Sequence, residues 1–166
     1  MATKDLSAYN HESIPNAQNM SIAIVVADWN NQITTALLEG TCSTLLAHGV
    51  AQQNIFIKHV PGSFELTFGA KLLLEYEPEM DAVIAIGCVI RGETTHYDYI
   101  CQSVSMGLTQ LNIQFDKPVV FCVLTTENLE QALDRAGGKH GNKGVEAAVT
   151  ALKMVALADE FMELPY

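Results

Sequence analysis

The sequence predicts an α/β fold, a three-layer αβα sandwich around a four-stranded parallel sheet. Three observations carry this expectation. Four short apolar runs, at residues 22–27, 55–60, 81–87 and 119–124, are bounded by glycine, proline or polar clusters, and such runs read as strands buried in a sheet. The stretches between them are long enough for helices and carry apolar residues at helical spacing. Strand and helix alternate four times, which calls for right-handed crossovers and therefore parallel strands with helices on both faces.

In chain order, residues 1–20 are polar and irregular, with Pro15 inside. They read as a flexible N-terminal arm, or one that pairs with another chain, ahead of a single α/β domain over 21–166. Ile22-Ala23-Ile24-Val25-Val26-Ala27 is the first strand. Residues 31–48 form a helix with a stripe of Ile33, Leu37, Leu38, Leu45 and Leu46, and Gly49 stops it. Residues 55–60 are the second strand. Pro61-Gly62 turns the chain, and Ser63 is placed to cap a helix over about 64–76. The third strand covers 81–87 and a helix about 95–113. Pro118 opens the fourth strand. Thr125 or Thr126 is placed to cap a helix that ends at Gly137-Gly138, and a last helix runs from about 143 to 160. The resulting strand order is 2-1-3-4, the flavodoxin-like arrangement.

A length of 166 residues fits one domain with a real core. The net charge of −10 argues against nucleic acid as a partner, whose phosphates need a basic surface, and against acidic membranes. No apolar run spans a bilayer, and the first twenty residues lack the basic start and apolar stretch of a signal peptide, so the cytoplasm is the expected compartment. Cys42, Cys88, Cys101 and Cys122 form no C-x-x-C pair, which leaves zinc and redox motifs with little support. Cys88 and Cys122 read as small core residues.

In such sheets ligands bind beyond the carboxyl ends of the strands. The segments there are 28–30, 61–65, 88–96 and 125–128, each richer in polar or aromatic groups than the strand before it. Trp29, the single tryptophan, is placed either to stack on a flat ring or to pack under the first helix. Glu65 is either a helix-dipole carboxylate or an acceptor for ligand hydroxyls. The turn Gly92-Glu93-Thr94 precedes a helix, where backbone N–H groups and a hydroxyl suit a phosphate; Thr94 equally suits a plain cap. His96 is the one histidine beside that turn and can move protons near neutral pH, although a surface histidine would look the same. Arg91, Arg135, Lys139 and Lys143 all fall near loops or helix ends. The run Gly137–Gly144 fails the phosphate-loop pattern and follows a helix rather than a strand.

With these pieces placed, the chain resembles the lumazine synthase family over about residues 21–160. The motifs that carry the likeness are Val60-Pro61-Gly62-Ser63-Phe64-Glu65, GCVIRGETTHYDY at 87–99 and LTTENLEQALDRAGGKHGNKG at 124–144. The resemblance implies condensation of 5-amino-6-(D-ribitylamino)uracil with 3,4-dihydroxy-2-butanone 4-phosphate to 6,7-dimethyl-8-ribityllumazine, phosphate and water, with neither metal nor organic cofactor. It places Trp29 on the pyrimidine ring, Ser63, Phe64 and Glu65 on the ribityl chain and ring, and Cys88, Val89 and Ile90 along the uracil edge. It places Glu93 and Thr94 at the phosphate turn and gives His96 the catalytic role. Phe121 and Arg135 match residues that a neighbouring subunit contributes, the arginine binding phosphate, and Lys143 matches a lysine near the same site. Trp29 is larger than the phenylalanine usual there, and Glu93 replaces what is often a small residue. The resemblance further implies a homo-oligomer, a pentamer that in many members closes into a shell of twelve pentamers, and a functional link to riboflavin synthase. A flavin or lumazine carrier on the same fold, without turnover, is the alternative reading.

Overall fold

The computed structural model describes residue 9, residues 13–77 and residues 79–162. Its main sheet has four parallel strands, β1 (Ile22–Ala27), β2 (Ile55–Val60), β3 (Ala82–Ile90) and β4 (Val119–Thr126), in the order β2-β1-β3-β4. The helices are α1 (Asn31–Ala47), α2 (Leu66–Tyr76), α3 (His96–Gln114), α4 (Leu129–Leu133) and α5 (Lys143–Met162). A small antiparallel hairpin, β5 (Ala136–Gly138) and β6 (Gly141–Asn142), joins α4 to α5.

The strands alternate between two cores, as a period of two residues requires. Ile22, Ile24 and Val26 of β1, with Ile84 and Ile86 of β3, face Ile33, Leu37 and Leu45 of α1 and Leu152 of α5. Ala23 and Val25, with Val83 and Ala85, face Leu66 and Leu73 of α2 and Val104 and Leu108 of α3. Both faces of β1 and β3 are therefore dry, and each fully buried isoleucine or leucine contributes roughly 1.5–3 kcal/mol. The expected three layers and strand order are those observed. Gly144 lets α5 lie against α1: an added Cβ would run into the Leu37 carbonyl, while the Thr41 hydroxyl lies 3.1 Å from the Gly144 carbonyl.

Several boundaries differ from expectation, each for a physical reason. Of the segment read as an arm, residues 1–8 and 10–12 lie outside the described residues. Residues 17 and 20 are not arm-like: Ala17 and Met20 are buried in the α1–α5 core, and the Ala17 N–H donates to the His48 carbonyl at 3.1 Å. Ser63 does not cap a helix. Residues 63–65 form a 3-10 turn ahead of α2, and the Ser63 hydroxyl donates to the Cys88 carbonyl at 3.4 Å instead. Strand β3 runs through Gly87 to Ile90, because it keeps pairing with β4 as far as Thr126, and the glycine leaves room for Ser63 and Leu66 to pack against it. Strand β4 likewise takes in Thr125 and Thr126, so the following helix is capped by Asn128, whose Oδ1 accepts the Gln131 N–H at 2.9 Å. That helix stops at Leu133 rather than at Gly137-Gly138. The chain turns into the hairpin, which is tied down where the Asn142 side chain donates to the Ala36 carbonyl at 2.8 Å and accepts the Gly144 N–H at 2.8 Å.

Candidate active site

Two groups of residues stand at the carboxyl ends of the strands, and a third lies along the edge of β4. The first surrounds Trp29. Strand β1 pairs with β3 only as far as Val26↔Ile86, whereas β3 pairs with β4 through Ile90↔Thr126. Residues 88–90 therefore overrun β1 and present a free strand edge above it. The Asn30 side chain donates to the Cys88 carbonyl at 2.9 Å on that edge. Alternate residues turn their peptide groups to opposite sides of a strand. The Arg91 N–H donates towards β4, to the Thr126 carbonyl, so the Ile90 peptide groups face the Asn30 side and open into the crevice.

Trp29 forms one wall. It is 66% exposed, its N–H donates to the Pro61 carbonyl at 3.0 Å, and its ring lies directly over Gly62, where any Cβ would collide with it. The Glu65 carboxylate accepts the Gly62 N–H at 3.1 Å and so is fixed close to the indole. This is the reciprocal half of a capping box, which makes Glu65 both a helix-start carboxylate and a wall of the crevice. Ser63 is buried beneath, and Phe64 is exposed. Cys88 is buried with its thiol pushed up to about 11 by desolvation, and Cys122 is pushed up to about 12 for the same reason. Both cysteines are core residues, and what Cys88 offers the crevice is backbone.

Asn30 went unassigned in the sequence. Among the described residues it is the non-glycine with positive φ, at 59°, and its side chain bridges the β1–α1 turn to β3. An asparagine between a strand and a helix was the available signal, since asparagine tolerates the left-handed region. Asn30→Ala is expected to lower apparent stability by about 1–2 kcal/mol, read from the chemical-denaturation midpoint. Beside it, His59 Nδ1 lies 2.7 Å from Asp28 Oδ1, tying the end of β1 to β2.

The second group is the turn after β3. Gly92, Glu93, Thr94, Thr95 and His96 are exposed, and nothing stands near the place a side chain at Gly92 would take. The turn is therefore open to a ligand, with Glu93 in solvent. His96 is the first residue of α3, and its N–H lies 3.4 Å from the Thr94 hydroxyl. Arg91 does not add a free positive charge here. Its guanidinium grips Asp98 and Glu127 and holds the Asp98 carboxyl below the usual carboxylate range.

The third group lies apart, on the free edge of β4. A groove of about 400 Å³ runs along it, lined by Phe121, Cys122, Lys143, Glu146, Thr150 and Met154 among others. Phe121 is 44% exposed. Lys143, only 10% exposed, places its ammonium 2.6 Å from Glu146. Arg135 follows α4 closely. Its Nη1 donates to the Gln131 carbonyl at 2.9 Å, and its buried Nε has no hydrogen-bond partner among the described residues. Lys139 pairs with Asp134 at 3.3 Å. Trp29, Ser63 and Glu65 thus come together in one crevice with residues 88–90, whereas Phe121 and Lys143 line a different surface of the same chain.

No cluster of His, Cys, Asp and Glu suited to a metal occurs among the described residues. No helix of the described residues is long and apolar enough to cross a membrane.

Comparison with known proteins gives this arrangement a family. A family model described as 6,7-dimethyl-8-ribityllumazine synthase matches residues 19–159. The chain is 58% identical over 154 residues to the 6,7-dimethyl-8-ribityllumazine synthase of Parabacteroides distasonis, covering 93% of this chain and 96% of that protein. It is 58% identical over 156 residues to the protein of the same name from Porphyromonas gingivalis, covering 94% and 96%. With that of Cytophaga hutchinsonii the identity is 57% over 155 residues, covering 93% and 96%. A match over nearly the full length, through every segment that builds the crevice and the turn, shows that the chain belongs to the 6,7-dimethyl-8-ribityllumazine synthase family.

Proposed function

We propose that the protein condenses 5-amino-6-(D-ribitylamino)uracil with 3,4-dihydroxy-2-butanone 4-phosphate to 6,7-dimethyl-8-ribityllumazine in riboflavin biosynthesis. The observation that carries this is that an exposed indole and a fixed carboxylate meet over Gly62, while Asn30 and Ser63 beside them bond to the free edge of β3, in a chain of this family. The test is direct: purified protein mixed with both substrates generates lumazine fluorescence. Protein that binds the pyrimidine but never forms the product would contradict the reading. No observation favours a flavin or lumazine carrier.

In this reading Trp29 stacks on the pyrimidine, and the peptide groups of Cys88 and Ile90 face its polar edge with donors and acceptors, while Val89 between them turns its peptide groups to β4. Glu65 accepts hydrogen bonds from ribityl hydroxyls, with Ser63 and Phe64 shaping the floor and rim. Trp29→Ala is expected to raise the KM for the pyrimidine about 2- to 10-fold, the loss of one stacking contact, with kcat nearly unchanged. Steady-state kinetics with the pyrimidine varied checks this.

The 92–94 turn, through its backbone N–H groups and the Thr94 hydroxyl, holds the phosphate together with Arg135. The 5-amino group meets the ketone carbon and forms an imine with loss of water. Loss of the proton on the neighbouring hydroxyl-bearing carbon expels phosphate, the resulting enol becomes a methyl ketone, the ribitylamino nitrogen adds to that carbonyl, and a second dehydration completes the product. His96 carries protons between these steps. Lys143, on the β4 groove face of an adjoining copy, approaches the phosphate but shares its charge with Glu146, so Arg135 is the principal cation.

Phe121 and Arg135 complete the crevice of an adjoining copy in this reading. What supports it is the position of Phe121: exposed on a free strand edge, beside a groove that Trp29 and Glu65 do not line. The assembly is a pentamer, and the short 137–144 connection favours closure of twelve pentamers into a shell; light scattering separates the two. The cytoplasm is the proposed location, and a functional link to riboflavin synthase as consumer of the lumazine follows from the same reading.

A further inference from the structure

His96 has an unusual mounting. Among the described residues its imidazole makes no hydrogen bond or ion pair, and its local backbone contact is the long 3.4 Å approach to Thr94. Residues 91–95 before it belong to neither strand nor helix. The ring's location is therefore set by whatever fixes the backbone around it.

The two residues after it are fixed by one side chain. Arg91 Nη1 and Nη2 donate to the two oxygens of Asp98 at 3.2 and 2.8 Å. Its Nε lies 2.9 Å from Glu127 Oε2, and its guanidinium carbon sits 4.1 Å from the centre of the Tyr97 ring. The Arg91 N–H also donates to the Thr126 carbonyl at 2.9 Å. One planar group thus joins the end of β3, the first turn of α3 and the loop after β4. Isolated exposed ion pairs contribute little, but a bidentate fork with a third donor and a stacked ring defines direction as well as distance.

We propose that Arg91 is a positioning residue for His96: it clamps Tyr97 and Asp98 so that the turn presents the imidazole at a fixed place over the crevice. Its charge is already shared between two carboxylates, so it acts through the backbone of the turn and not by binding the phosphate. This inference rests on the catalytic role given to His96 above and goes beyond it, naming what holds the imidazole in place.

The test is a double-mutant cycle in the lumazine assay. Arg91→Gln is expected to lower kcat about 10- to 100-fold, the scale of a small misplacement of a catalytic group, with the KM for the pyrimidine unchanged. In a His96→Ala background the same substitution is expected to change kcat less than about 2-fold, because the group it positions is gone. Arg91→Lys keeps the charge without the fork and recovers only part of the loss. A wild-type kcat for Arg91→Gln, an equal loss in both backgrounds, or full recovery by lysine would each overturn the proposal. If Arg91→Gln does not fold, Glu127→Gln removes one arm of the clamp and is expected to give a smaller loss with the same dependence on His96. A His96→Ala protein at the wild-type rate would instead refute the role of His96. The clamp is then judged by the crystal structure of Arg91→Gln, where a displaced 92–98 segment supports it and an unchanged one overturns it.

Discussion

His96→Ala is expected to lower kcat by about 10²- to 10⁴-fold, the usual contribution of one general acid–base, without abolishing the reaction. Imine formation, phosphate loss and ring closure all move protons, and the imidazole is the side chain on the open turn suited to that near neutral pH. The residual rate comes from holding two substrates in register, which is independent of the histidine. The KM for the pyrimidine stays near its original value, because Trp29, Glu65 and the free edge of β3 are untouched. Kinetics with both substrates varied separate these effects. A variant with full kcat would remove His96 from the mechanism.

Arg135→Ala is expected to have the second largest effect, and to show it on the other substrate. The cations near the phosphate turn and hairpin are mostly committed. Arg91 is shared by Asp98 and Glu127, Lys139 by Asp134 and Lys143 by Glu146. Arg135 alone among these has no carboxylate partner among the described residues. Its Nη1 donates to the Gln131 carbonyl, and a guanidinium so anchored keeps further donors for an anion. Loss of a charge-assisted contact to phosphate is expected to raise the KM for the butanone phosphate about 10- to 100-fold and to leave the KM for the pyrimidine unchanged. Arg135→Lys restores part of the affinity but not the bidentate geometry. Unchanged constants for the phosphorylated substrate would refute the assignment.

The sheet was legible in the sequence because its signal is local. Ile22–Ala27 and Ala82–Ile86 are apolar on both faces, and only a covered parallel sheet explains such runs. The segments proposed to bind substrate were singled out by the rule that ligands lie beyond strand ends. What the sequence hid depends on contacts distant along the chain. Gly87 looked like the end of a strand, yet it is the place where Ser63 and Leu66 pack against β3, and the strand continues past it. This overrun turns Cys88, Val89 and Ile90 from a loop into a free edge. The hairpin at 136–142 has no β-rich composition; its anchor is the reach of Asn142 back to α1. Ser63 looked like a cap because serine before a helix usually is one, but its hydroxyl had the Cys88 carbonyl to satisfy. The Arg91 clamp spans a turn with no periodic spacing, so nothing in the order of residues paired Arg91 with Asp98 or Glu127.

The central claim is that one site draws His96 and Arg135 from two copies of the chain. Co-assembly of the His96→Ala and Arg135→Ala proteins in equal amounts, assayed at low butanone phosphate, measures this most directly. If the two groups come from adjacent copies, random mixing rebuilds about a quarter of the sites with both intact, and activity rises well above that of either variant alone. Activity that stays at the average of the two separate variants, in assemblies shown to be mixed, would place both groups in one chain and contradict the account.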